Sequence, residues 1–137
     1  MKNIDQQKQE QLKIGLTALS KCIKTKADVQ NAFLRIDLGY ISLIYGIPGH
    51  PKNKFKPGYG ISHIIAKRNS ENNDGLAVSK KLIDVLVYGT IRKHAASDKI
   101  EKIEIAKDGY LAILKLTWNG ENIYWLLSGY KEDKKKL

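Results

Sequence analysis

Two dipeptides in the last third of the chain, Asp108-Gly109 and Asn119-Gly120, restrict the fold more than any other feature. Each is suited to a two-residue type I′ turn, and each lies between apolar, β-rich segments: KIEKIEIA, YLAILKLTW and NIYWLLSGY. The sequence therefore predicts a three-stranded antiparallel meander. Two-residue turns fix its register, with Trp118 opposite Glu121, Lys115 opposite Tyr124, Leu111 opposite Ser128, Glu104 opposite Ile113 and Lys102 opposite Lys115. One face then gathers Ile103, Ile105, Ala112, Leu114, Leu116, Trp118, Ile123, Trp125 and Leu127, a surface for helices to cover. The other carries Lys102, Glu104, Lys115, Thr117, Asn122, Tyr124, Ser128 and Tyr130 among Ile100, Leu111, Ile113 and Leu126. A solvated sheet face would carry similar residues. However, two opposed lysines cost stability unless an anion is near, and tyrosines offer flat surfaces on which bases stack.

Upstream, the pattern is mostly helical. Residues 5–24 place Leu12, Leu16, Leu19 and Ile23 at helical spacing, an amphipathic extension over residues 1–26. Ala27-Asp28-Val29-Gln30 predicts a second, short helix with Asp28 in its first turn, giving way to a strand at YISLIY. Residues 47–60, IPGHPKNKFKPGYG, hold all three prolines and read as a long loop. GYGISHIIAKRN follows as a helix, and LAVSKKLIDVLVYG as another, with Leu76, Leu82, Ile83 and Leu86 inward and Gly89 as its stop. The expected fold class is α+β, with N-terminal helices packed on a C-terminal antiparallel β-meander. The main domain spans residues 27–131, and a charged tail occupies 132–137.

Charge narrows the function. Among 137 residues, 24 Lys and Arg face 14 Asp and Glu, a net charge of +10, which favours polyanionic partners. No apolar run approaches the ~18 residues of a spanning helix, so nucleic acid is preferred over membrane insertion. The start lacks the apolar stretch of a secretory signal. Cys22 stands alone, so neither an internal disulfide nor a multi-cysteine metal site is available, and a reducing cytosol is compatible. His50, His63 and His94 show no metal-ligand spacing. A Walker-type phosphate loop and a GxGxxG run are both absent, and no cofactor is implied.

On a helix through GISHIIAKR, Ile61, Ile64 and Ile65 form an apolar stripe, while His63 points roughly 160° from Ile61. His63 is thus expected to face outward, with Lys67 one turn after it, Tyr59 one turn before it and Arg68 at the edge of the stripe. Cleaving RNA without a metal needs a base for the 2′-hydroxyl proton, an acid for the leaving 5′-oxygen and cations around the phosphate. A histidine can take either proton role near neutrality.

The order of ADVQNAFLRIDLGYISLIYG, a basic loop, GYGISHIIAKRN and a closing YWLLSGYK resembles the phage and mobile-element branch of the barnase, EndoU, colicin and RelE-like ribonucleases. That resemblance runs from about Ala27 to Lys131. It implies a barnase/RelE-like fold and metal-independent cleavage of RNA, transfer RNA or another structured RNA, by a toxin or effector. It assigns His63 as general base or acid, Lys67 or Arg68 to phosphate charge, and Ser128 or Tyr130 to phosphate orientation or proton donation. Glu104 is a weaker second base that matches no motif position. Lys52, Lys54, Lys56, Tyr59, Lys102, Lys115, Thr117 and Tyr124 form the expected RNA-binding set. An acidic inhibitor would suit a cationic site acting in the cytoplasm. The competing expectation is a non-catalytic RNA- or DNA-binding module, or a phage accessory protein that retains the fold.

Overall fold

The computed structural model describes residues 3–97 and 100–132, with only the backbone described at 93–97, 100 and 101. The side chains of His94 and Ile100 and tail residues 133–137 lie outside that description. Helix α1 spans Ile4–Thr25, strand β1 Val29–Arg35, β2 Gly39–Leu43, α2 Gly60–Ser70, α3 Gly75–Tyr88, β3 Thr90–Ser97, β4 Ile100–Lys107, β5 Tyr110–Trp118 and β6 Glu121–Lys131. The strands form one mixed sheet in the order β1-β2-β6-β5-β4-β3, in which β2 runs parallel to β6 and every other pair is antiparallel.

The helices cover one face of that sheet. A reciprocal cap starts α1: Asn3 accepts from the Gln6 backbone at 2.8 Å, and Gln6 accepts from the Asn3 backbone at 3.1 Å. Gly15, Ala18, Leu19 and Cys22 are the buried residues of α1, which packs on β1 and α3. A side chain at Gly15 would press into Phe33 and Ile83, so the glycine permits close approach. Leu82, Ile83 and Leu86 of α3 join Phe33, Ile41, Ile105, Leu114 and Leu126 in the core. Leu76 is exposed instead of inward, because Asp74 caps the helix at Ala77 and leaves Leu76 on the outer side of the first turn.

Two strands escape sequence patterning. Val29 and Gln30 begin β1, not a helix, and the Asp28 carboxylate accepts the Tyr45 amide at 2.9 Å rather than capping a helical turn. Asn31 interrupts the strand with φ 49°, and its amide donates to Ser42 Oγ at 2.9 Å. β3 lies in TIRKHAAS, which shows no apolar alternation and pairs along β4.

Both expected hairpin turns form, with positive φ at Asp108, Gly109, Asn119 and Gly120 as type I′ geometry requires. Lys102 lies opposite Lys115, Glu104 opposite Ile113 and Trp118 opposite Glu121. Beyond the second turn, however, β6 twice carries an extra residue. Lys115 therefore faces Trp125 instead of Tyr124, and Leu111 faces Tyr130 instead of Ser128. Leu126 becomes core, and Tyr124 packs partly buried against it. Trp125 passes to the side of Lys115. These irregularities correct the expected two-face division of the last strand.

β2 pairs with β6 only through Ile41–Tyr124 and Ser42–Trp125. The later part of β6 is bordered by α2, which contacts β6 and α3. A helix at this edge lets its side chains meet both the core and the face of the sheet that the helices leave open.

Candidate active site

The N-terminus of α2 is tied to the end of β2. Ile61 and Ser62 donate their amides to the Ile44 and Tyr45 carbonyls at 2.9 Å each. Between them the chain makes an ordered double-backed loop: Ile47 and Tyr59 exchange backbone hydrogen bonds at 3.2 and 3.0 Å, and the His50 carbonyl accepts from Phe55 at 2.8 Å. Gly46 and Gly60, both at positive φ, sit where a side chain would strike the backbone of Tyr59 and of Ile44.

This loop covers His63. The expected helical phase holds, with the imidazole away from the buried Ile61 and Ile64, yet the residue is only 9% exposed because Pro48 and Gly58 lie over it. Outward direction did not mean solvent. Nδ1 lies 3.1 Å from the Pro48 carbonyl oxygen. A carbonyl only accepts, so Nδ1 carries the proton and the neutral ring holds its lone pair on Nε2. Burial pushes the His63 pKa below the ordinary histidine value. The bond to Pro48 opposes that shift, while Lys67 and Arg68 add to it.

Lys67 and Arg68 act on this histidine from α2, and further lysines stand on the loop. Lys67 lines a concavity with Pro51, Lys54, Phe55, Ser70 and Glu71. Lys52, Lys54 and Lys56 line another with Asn53 and Pro57. Arg68 is 7% exposed, with its guanidinium carbon 5.8 Å from the Tyr130 ring centre and Nη1 3.3 Å from Glu71. Its Nε is buried without a partner.

On the open face of the sheet, Ser128 and Tyr130 sit two residues apart on the same side of β6, opposite Ile113 and Leu111. Lys102 is exposed, Lys115 half-buried and Thr117 exposed. Tyr124 leaves the expected RNA-binding surface because the β6 irregularity turns it toward the core. Glu104 is engaged by Arg92 at 3.7 Å, and Arg92 also makes a two-pronged pair with Glu132, each bond 2.9 Å. Arg92 and Pro48 are the residues that sequence patterning missed. Neither carries a local signal, since each gains its role from a partner far along the chain.

The expected site thus divides into two groups. His63, Lys67, Tyr59 and the loop lysines stand on the α2 side, and Ser128, Tyr130, Lys102, Lys115 and Thr117 on the sheet. Arg68 against Tyr130 joins them at one place, and Tyr59 packed on Trp118 and Trp125 joins them at another. Among the described residues, no group of three His, Cys, Asp or Glu is placed to hold a metal ion.

The model of one protein family, described as phage-Barnase-EndoU-ColicinE5/D-RelE like nuclease 1, matches residues 32–136. No curated protein and no solved structure matches the chain.

Proposed function

The chain belongs to the phage-Barnase-EndoU-ColicinE5/D-RelE like nuclease 1 family, and from that premise we propose that it is an endoribonuclease cutting transfer RNA or another structured RNA by attack of a ribose 2′-hydroxyl, without a metal. A nuclease of this superfamily takes nucleic acid as substrate. The finer reading rests above all on one contact, His63 Nδ1 to the Pro48 carbonyl.

That contact leaves Nε2 unprotonated in the neutral ring, and the depressed pKa keeps the ring neutral at physiological pH. His63 is therefore suited to accept the 2′-hydroxyl proton as the oxygen attacks the adjacent phosphorus. Lys67 and Arg68 stabilise the charge that grows on the phosphate oxygens. Tyr130, whose ring lies against Arg68, orients the phosphate or donates a proton to the departing 5′-oxygen, with Ser128 beside it on the strand. The products are a 2′,3′-cyclic phosphate and a free 5′-hydroxyl.

In the same reading the protein acts in the cytoplasm as a toxin or effector, and its excess positive charge suits an acidic inhibitor. Expression is expected to arrest growth, and His63→Ala to relieve the arrest. Purified His63→Ala protein is expected to keep its circular-dichroism spectrum and lose cleavage about 10²–10⁴-fold. Full activity in that variant removes His63 from the mechanism. RNA binding without a product from the unaltered chain favours a binding module that keeps the fold.

A further inference from the structure

The outer face of α1 is used neither by the core nor by the candidate active site. Gly15, Ala18, Leu19 and Cys22 turn the opposite side of the helix inward. Lys13, Lys21 and Lys24 are exposed on the outer side, within about 80° of one another around the helix axis. Gln9, Thr17 and Ser20 are exposed beside them. The acids of α1, Asp5 and Glu10, belong to its first two turns, so residues 11–25 carry positive charge alone.

Two simpler explanations fall short. The helix dipole favours a cation in the last turn, which accounts for Lys24, but its influence fades within that turn and does not reach Lys13. Solubility would be served as well by mixed charges, whose pairs one turn apart also steady a helix. Among the described residues no salt bridge engages Lys13, Lys21 or Lys24. Three such cations on one helical face fit a polyanion.

The face also leads to the candidate active site. Just past the end of α1, Asp28 accepts the Tyr45 amide at 2.9 Å, and the Tyr45 carbonyl accepts the amide of Ser62, the neighbour of His63, at 2.9 Å. α1 itself precedes residues 32–136, the span that the family model matches, so the shared nuclease domain gives this face no task.

Its chemistry selects the form of nucleic acid. α1 contains no aromatic residue, so it offers no platform on which an unpaired base stacks. Lysines, hydroxyls and an amide suit instead the phosphates and 2′-hydroxyls displayed along an RNA double helix. From Gln9 to Lys24 the face is about 22 Å long. We propose that α1 docks the backbone of a double-helical stem in the RNA substrate and so presents the adjoining strand to the α2 side of the site. The inference rests on the reading of the chain as a nuclease of structured RNA.

A blunt-ended RNA duplex in EDTA, followed by fluorescence anisotropy over a range of salt concentrations, measures docking itself. Combining Lys13→Gln, Lys21→Gln and Lys24→Gln is expected to weaken the duplex about tenfold and to lower the salt slope by about one for each lysine that meets a phosphate. Arginine at the same three positions is expected to restore both. Equal affinity and equal slope in the glutamine variant and the unaltered chain overturn the inference. Tighter binding of a 2′-O-methyl single strand, which cannot be cut, than of the duplex by the unaltered chain overturns it as well, with no variant involved. Loss of duplex binding in the glutamine variant, alongside a chain that cuts no RNA, removes the nuclease reading and leaves the docking face standing.

Discussion

His63 takes its chemical character from two residues distant in sequence. Pro48 fixes the proton on Nδ1, and the covering loop removes the solvent that would stabilise the imidazolium. Because the folded-state pKa lies below the unfolded value, the native protein binds fewer protons than the unfolded chain between those two values. Native stability is therefore unaffected above the ordinary value of about 6.5, declines as pH falls from there, and carries the whole penalty below the folded pKa. His63→Gln is expected to flatten that acid-side decline in denaturant titrations. Activity should likewise hold through neutral pH and fall on an acidic limb displaced below the usual histidine range, as measured by kcat/KM against pH. In the proposed mechanism Arg68 acts on charge rather than on protons. Arg68→Ala is expected to lower kcat by about 10²–10³ with modest change in KM, since a cation aimed at developing charge acts mainly in the transition state. The direction of His63 from the helix axis is legible in GISHIIAKR. Its burial is not, because helical periodicity describes one helix and knows nothing of Pro48 and Gly58 folded over it. Arg68 is legible as a border residue between the isoleucine stripe and the outer face, but Tyr130 as its stacking partner depends on the placement of α2.

Elements differ in how openly the sequence declares them. Helices α2 and α3 follow from apolar spacing and their end signals, and the β4–β5–β6 meander follows from two turn dipeptides that accept positive φ. The start of β1 reads as helix because ADVQ has a favourable first turn, whereas Phe33 and the pairing with β2 decide the matter through tertiary contact. The extra residues in β6 are harder still. NIYWLLSGY contains nothing at Tyr124 or Leu127 to announce a bulge, yet a one-residue shift sends Tyr124 to the core side and Trp125 toward Lys115. The loop of residues 47–60 offers a direct test of element-level control. A Cβ at Gly58 would collide with His63 Nδ1 and with the Pro48 and Phe55 carbonyls. Gly58→Ala is expected to impair cleavage severely while the sheet and helices stay folded, seen as a retained far-ultraviolet spectrum beside lost activity. Undiminished activity would show that the loop does not hold the histidine in its working position.

At the scale of the molecule, the core and the charged surface have separate roles. The core joins all three helices to one face of the sheet, and Cys22 lies inside it with its thiol pKa pushed up to about 11, chiefly by burial and further by Asp28. Cys22 is therefore expected to resist thiol reagents at neutral pH in the native protein and to react on global unfolding, which makes its labelling rate a measure of core opening. The surface, with net charge +10, supplies long-range attraction to a nucleic-acid substrate. Binding should weaken steeply with salt, with a logarithmic slope of about −0.7 for each phosphate contacted on a single strand. The composition makes this polyanion preference legible, whereas the meeting of α2 with the open sheet face depends on β2 stopping short along β6. The central claim is that this meeting cleaves RNA through a 2′-hydroxyl with His63 as base. The most direct measurement is to incubate the unaltered chain and His63→Gln with total and transfer RNA in EDTA and to map the new ends. Discrete cuts ending in 2′,3′-cyclic phosphates with the unaltered chain, and none with His63→Gln, are expected. Intact RNA with the unaltered chain, or equal cutting by both proteins, would contradict the account.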